Sequence, residues 1–66
     1  MEIVVNDQPR QVNEGMTVAE LLAQLGVANK FVAVELNLEL VPRDRHAQRR
    51  LAPGDRVEVV TLVGGG

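Results

Sequence analysis

Sixty-six residues and 7.2 kDa leave room for one small domain and one compact core. Hydrophobic residues at 45% can fill that core, while 24% charged residues and a net charge of -2 argue against disorder and against a general attraction to nucleic acid. With no Cys, a single His (His46) and a single aromatic (Phe31), the chain excludes disulfides, thiolate or multi-histidine metal sites, and a base-stacking nucleic-acid surface.

No apolar run approaches the roughly 20 residues that span a bilayer, so no membrane partner is expected. Met1-Glu2-Ile3-Val4-Val5-Asn6 has neither a basic leader nor a long apolar stretch, which argues against a signal peptide. Cytoplasmic residence is the expectation. A ligand pocket usually measures roughly 300–1,000 Å³, a costly hollow in so small a core. Size therefore favours a binding or carrier role over a complete catalyst.

Residues 2–6 read as a strand with Ile3 and Val5 on one face. Asn6-Asp7 is a tight-turn pair, because both residues tolerate left-handed backbone. A second strand follows over about residues 9–13, with Val12 inward. Pro9 cannot donate a ladder hydrogen bond, which places this strand at a sheet edge. Gly15 ends it. Thr17-Val18-Ala19-Glu20 is a capping box, and Met16 and Leu21 occupy the staple positions around it. Val18, Leu21, Leu22 and Leu25 form one apolar helical stripe, and Gly26 stands where a left-handed cap belongs. A helix of about two turns cannot stand alone, so it must pack on the sheet.

Residues 31–36 alternate as a third strand, with Val32, Val34 and Leu36 on one side. A short fourth strand over 39–41 follows a turn at Asn37-Leu38. Asn37 accepts positive φ but Leu38 resists it, which predicts a turn wider than two residues. Pro42 ends the strand. Residues 43–52 read as a basic loop with a single helical turn, and Pro53-Gly54-Asp55 is a turn signal. A last strand runs from Arg56 to Leu62 with Val57 and Val59 inward and Glu58, Val60 and Leu62 outward. The order β-β-α-β-β-β predicts an α+β fold: a mixed sheet of four to five strands packed on one short helix. The first and last strands are expected side by side in its middle. Residues 1–63 read as the domain and 64–66 as a flexible C-terminal tail.

That tail, Gly64-Gly65-Gly66, holds three of the six glycines. Without Cβ atoms it can thread a narrow channel and carry a terminal carboxylate roughly 10 Å into another protein's site. Composition alone leaves two readings open, a frayed terminus and a working end. Its position directly after a strand, at the end of the chain, favours the working end. Val60 and Leu62, with Glu58 between Val57 and Val59, then become a docking patch at the root of the tail. Ordinary scatter of exposed apolar residues is the alternative, and docking is favoured over it because an acceptor of the tail must also grip its root. Arg43-Asp44-Arg45-His46-Ala47-Gln48-Arg49-Arg50 could steer an acidic partner, although a solvated loop face explains it more simply. His46 has no Ser, Cys or second His to work with and reads as a surface or half-buried structural residue. The chain contains no phosphate-loop or dinucleotide fingerprint. Any nucleotide chemistry must come from another protein.

Ile3-Val4-Val5-Asn6, Thr17-Val18-Ala19-Glu20-Leu21-Leu22, Val32-Ala33-Val34-Glu35-Leu36-Asn37, Glu39-Leu40-Val41-Pro42-Arg43, Gly54-Asp55-Arg56-Val57-Glu58 and Gly65-Gly66 stand in this order along the whole chain. Together they resemble the β-grasp, ubiquitin-like sulfur carriers, most closely those of thiamine thiazole biosynthesis. Leu38 departs from that pattern, where Gly or a polar residue is usual. The resemblance implies a carrier and not an enzyme. A ubiquitin-activating-like adenylating enzyme, using its own ATP and magnesium, would convert the Gly66 carboxylate to an acyl-adenylate. A persulfide donor would turn that into a thiocarboxylate, and thiazole synthase would take the sulfur. Gly64 and Gly65 would give reach, and Glu58, Val60 and Leu62 would contact partners. No cofactor or metal would be bound by the chain itself. The alternatives are the small subunit of molybdopterin synthase, a carrier for transfer-RNA thiolation or cysteine synthesis, a protein-conjugating modifier, and a passive β-grasp interaction domain.

Overall fold

The computed structural model describes residues 1–27 and 31–61. Strand β1 (Glu2–Val5) turns back into β2 (Gln8–Gln11) through Asn6 and Asp7, whose φ values of 49° and 67° make a two-residue turn with Val5 opposite Gln8. Paired left-handed residues match the twist of the flanking strands. Strand β2 begins and ends earlier than the sequence suggests. Val12 lies beyond it, yet is buried and donates its N–H to the Met1 carbonyl at 2.8 Å. Pro9 sits on the outermost strand, where its missing N–H costs no ladder bond.

Helix α1 (Val18–Leu25) has both ends closed. The Glu20 N–H donates to Thr17 Oγ1 at 3.1 Å, and the Thr17 N–H donates to Glu20 Oε1 at 2.8 Å. The next two donors of the first turn are met from the distant basic loop: Val18 N–H reaches the Arg49 carbonyl and Ala19 N–H the His46 carbonyl, each at 2.9 Å. Every early helix N–H that lacks an intrahelical partner is thus satisfied. At the other end Gly26 has φ 76°, and the bonds from Gly26 N to Ala23 O and from Val27 N to Leu22 O form a Schellman motif.

Strands β3 (Val32–Leu36), β4 (Glu39–Val41) and β5 (Arg56–Thr61) complete a five-stranded sheet in the order β2-β1-β5-β3-β4. The first and last strands lie side by side, as expected, and pair in parallel. The β3–β4 turn corrects the sequence reading. Leu36 stands opposite Glu39, so the turn holds only Asn37 and Leu38, at φ 52° and 71°. Leu38 accepts the left-handed conformation that its Cβ disfavours, because the register of the hairpin on both sides demands it.

One face of the sheet buries Ile3, Val5, Val32, Val34, Leu36, Val41 and Val57 with Val18, Leu21 and Leu22 of the helix. Val59 points the same way but is only half-buried. Met16 and Leu21, the staple pair, are both in this core. So is Leu51, whose N–H holds the Met16 carbonyl at 2.8 Å. The basic segment forms a short 3-10 turn (Arg43–Arg45) and is exposed except for His46. His46 is 1% exposed, not at the surface or half-buried. Its Nε2 lies 3.1 Å from the Val41 carbonyl. A carbonyl only accepts, so Nε2 carries the proton and donates. The residue pins the loop to the sheet, which is a structural task.

Candidate partner-binding face and C-terminal segment

The outward face of the sheet follows from the register. Glu35 on β3 stands opposite Glu58 on β5 and Leu40 on β4, while Ala33 stands opposite Val60. Val4 and Arg56 extend the same face on the β1 side. Val60 is 53% exposed and Leu40 66%, and Glu35 and Glu58 are both exposed. Two carboxylates directly opposite each other destabilise a sheet by a few tenths of a kcal/mol up to about 1 kcal/mol. The face therefore combines apolar side chains with a concentrated negative charge, and nothing within the described residues covers it. Sequence alternation places Glu58 and Val60 here. It did not single out Leu40 and Glu35, although the same period-two pattern through 31–36 and 39–41 would have found them. Leu62, Gly64, Gly65 and Gly66 lie outside the described residues.

Strand β5 occupies the centre of the sheet, with β1 on one side and β3 on the other. Two asparagines hold it from the two hairpin turns. Asn37 Oδ1 accepts from Arg56 N–H at 3.0 Å, and its Nδ2 donates to Asp55 Oδ1 at 3.1 Å. Asn6 Oδ1 accepts from Val59 N–H at 2.8 Å, and its Nδ2 donates to the Val59 carbonyl at 3.2 Å. Asp55 also accepts from Ala52 N–H at 2.8 Å, tying down the Pro53-Gly54 turn before the strand starts. The chain beyond residue 61 thus continues from the most heavily anchored strand of the sheet.

Other surfaces offer less. A groove of about 310 Å³ beside β4 is lined by Leu36, Leu40, Pro42, Arg45 and Arg49 among others. It brings together no nucleophile and base. Among the described residues no three His, Asp or Glu are grouped to hold a metal ion, and no helix is long and apolar enough to cross a membrane.

The sequence model of the ThiS family matches residues 2–66. The chain belongs to the ThiS family. It is 38% identical over 66 residues to the sulfur carrier protein ThiS of Escherichia coli, covering the whole of both chains. A crystal structure of a thiamine biosynthesis protein (ThiS) from Geobacter metallireducens superposes with a TM-score of 0.85 at 39% identity, again over the whole of both chains. A thiazole synthase of Paramagnetospirillum magneticum is 46% identical over all 66 residues, but the chain spans only 20% of that protein. The β-grasp architecture expected from the resemblance is therefore the observed one, and the outward face and β5 are those of a ThiS-family domain.

Proposed function

We propose that this chain is a sulfur carrier of thiamine biosynthesis, with residues 1–63 as the folded body and 64–66 as the tail that bears the cargo. The match over the full length of a ThiS carrier is the observation that carries this reading. In the reaction, the Gly66 carboxylate attacks the α-phosphate of ATP in the site of a ubiquitin-activating-like adenylating enzyme. Pyrophosphate leaves with magnesium assistance, and an acyl-adenylate forms. A donor persulfide attacks the acyl carbon and expels AMP, giving an acyl disulfide. A second donor thiol breaks its S–S bond, leaving the thiocarboxylate on Gly66 and a disulfide on the donor. ATP, magnesium and thiols all belong to partners. This chain binds no cofactor and supplies no catalytic side chain.

Thiazole synthase is the acceptor this reading names. In the Paramagnetospirillum magneticum thiazole synthase a segment similar to this whole chain is part of one polypeptide. Such a tether gives two modules a high effective concentration. Glu58, Val60 and Leu62 contact the partners, and Gly64 and Gly65 thread the tail to the reacting centre. The decisive measurement is intact mass after incubation with ATP, the adenylating enzyme and a sulfur source. The expected result is one oxygen replaced by sulfur, localised to Gly66. A chain extended by one residue beyond Gly66 should show no such gain. Thiocarboxylate on the extended chain, or none on the unextended one, would refute the assignment.

A further inference from the structure

The β1 strand is shorter than the strand it supports. Its parallel pairing with β5 covers only Val4 opposite Arg56 and Val5 opposite Val57, whereas β3 pairs with β5 as far as Thr61. On the β1 side the carbonyls of Asp55 and Val57 accept from Val4 N–H and Asn6 N–H, each at 2.9 Å. The next residue facing that side is Val59, and there β1 has already turned away. The Asn6 side chain takes its place. Its amide accepts from Val59 N–H at 2.8 Å and donates to the Val59 carbonyl at 3.2 Å, filling alone both bonds that a longer parallel β1 would supply from two residues. The amide orientation is fixed, because an N–H needs the oxygen and a carbonyl needs the nitrogen.

We propose that Asn6 is a positioning residue that locks the C-terminal half of β5, the root from which residues 62–66 continue. Position 6 makes two demands at once. Its φ of 49° favours Gly, Asn or Asp, and its double hydrogen bond requires a primary amide. Asn alone meets both. Gly meets the first only, and Asp keeps just the bond from the Val59 N–H. This role rests on the carrier reading, since a rigid root matters when a tail must enter another protein's site. A loosened root would have to be re-ordered on binding, so the defect falls on KM for the carrier and not on kcat.

The test compares Asn6→Gly, Asn6→Asp and Asn37→Gly in the full chain. Asn37→Gly also preserves a left-handed turn and deletes a clamp on β5, but at the strand's beginning. Amide exchange at Val59 should rise about tenfold in Asn6→Gly, stay near the original rate in Asn6→Asp, and stay unchanged in Asn37→Gly. In ATP–pyrophosphate exchange with the adenylating enzyme, KM for the carrier should rise about fivefold in Asn6→Gly with kcat unchanged, and less than about twofold in Asn37→Gly. Equal KM defects in both Gly variants would reduce Asn6 to a general stability residue and overturn the proposal. So would unchanged Val59 exchange in Asn6→Gly. If the unsubstituted chain supports no pyrophosphate exchange, the carrier reading fails and the positioning role with it. Val59 exchange then still shows separately whether the clamp exists.

Discussion

Replacing Leu38 by Gly should stabilise the domain. Leu38 sits at φ 71° in a two-residue turn and is 81% exposed. A left-handed conformation costs an L-residue about 1–2 kcal/mol, and Gly avoids that cost. Gly brings its own penalty of about 0.5–1 kcal/mol, because its unfolded chain has more conformations to lose. The side chain is too exposed for its removal to forfeit much burial. The net gain is about 0.5–1 kcal/mol, and the turn would then read Asn-Gly, the favoured pair for this turn type. For a domain of this size such a gain raises Tm by about 2–8 °C. Leu38→Ala keeps the Cβ and therefore the strain, so it should show no comparable gain.

The chain has no Trp or Tyr, so far-UV circular dichroism in urea and in a thermal scan is the suitable assay. The midpoint should rise in Leu38→Gly with the urea slope unchanged, since the surface exposed on unfolding is the same. An unchanged or lower midpoint in Leu38→Gly would refute the reasoning. Equal gains in the Gly and Ala variants would do so as well, because they would trace the effect to the leucine side chain and not to backbone strain.

Two further outcomes follow from the burial pattern. His46→Ala removes a buried ring and its bond to the Val41 carbonyl, and should cost about 2–4 kcal/mol in urea unfolding; a loss below about 0.5 kcal/mol would show that the loop holds without it. Val60→Asp adds a third carboxylate beside Glu58 and Glu35 on a central strand, so it should cost about 0.5–1 kcal/mol without unfolding the domain. Its affinity for the adenylating enzyme should fall at least about tenfold, and an unchanged titration would remove Val60 from the docking face.

The hairpin, the helix and its caps were legible because each is written in neighbouring residues. Thr17 and Glu20 are three apart, Gly26 follows the last apolar turn, and alternation in 31–36 sorts Val32, Val34 and Leu36 from Ala33 and Glu35. What escaped was fixed by contacts between distant segments. His46 and Leu51 lie in a polar, basic stretch with no periodicity, and they are buried because the backbone there caps a helix that begins far back in the chain, at Val18. The Asn6 side chain reads locally as a turn former. Its second task, on Val59, spans 53 positions and leaves no local trace. The Leu38 turn went the other way: the residue type argued for a wider loop, and hairpin register overrode a preference worth only about 1–2 kcal/mol.

The placement of β5 explains why its C-terminal half is firmly held in so small a body. A strand at the sheet edge would be held on one side only and could fray with its single neighbour. Here β1 and β3 bracket the strand, Asn37 ties its start, and Asn6 extends the hold on the side where β1 stops short. To swing the strand's C-terminal half out of line, the chain must break both the β3 ladder and the amide clamp. Fraying on one side alone does not release it. The same arrangement holds Val60 and Glu58 on the face opposite the helix. A partner docking on this face would meet a strand held on both sides.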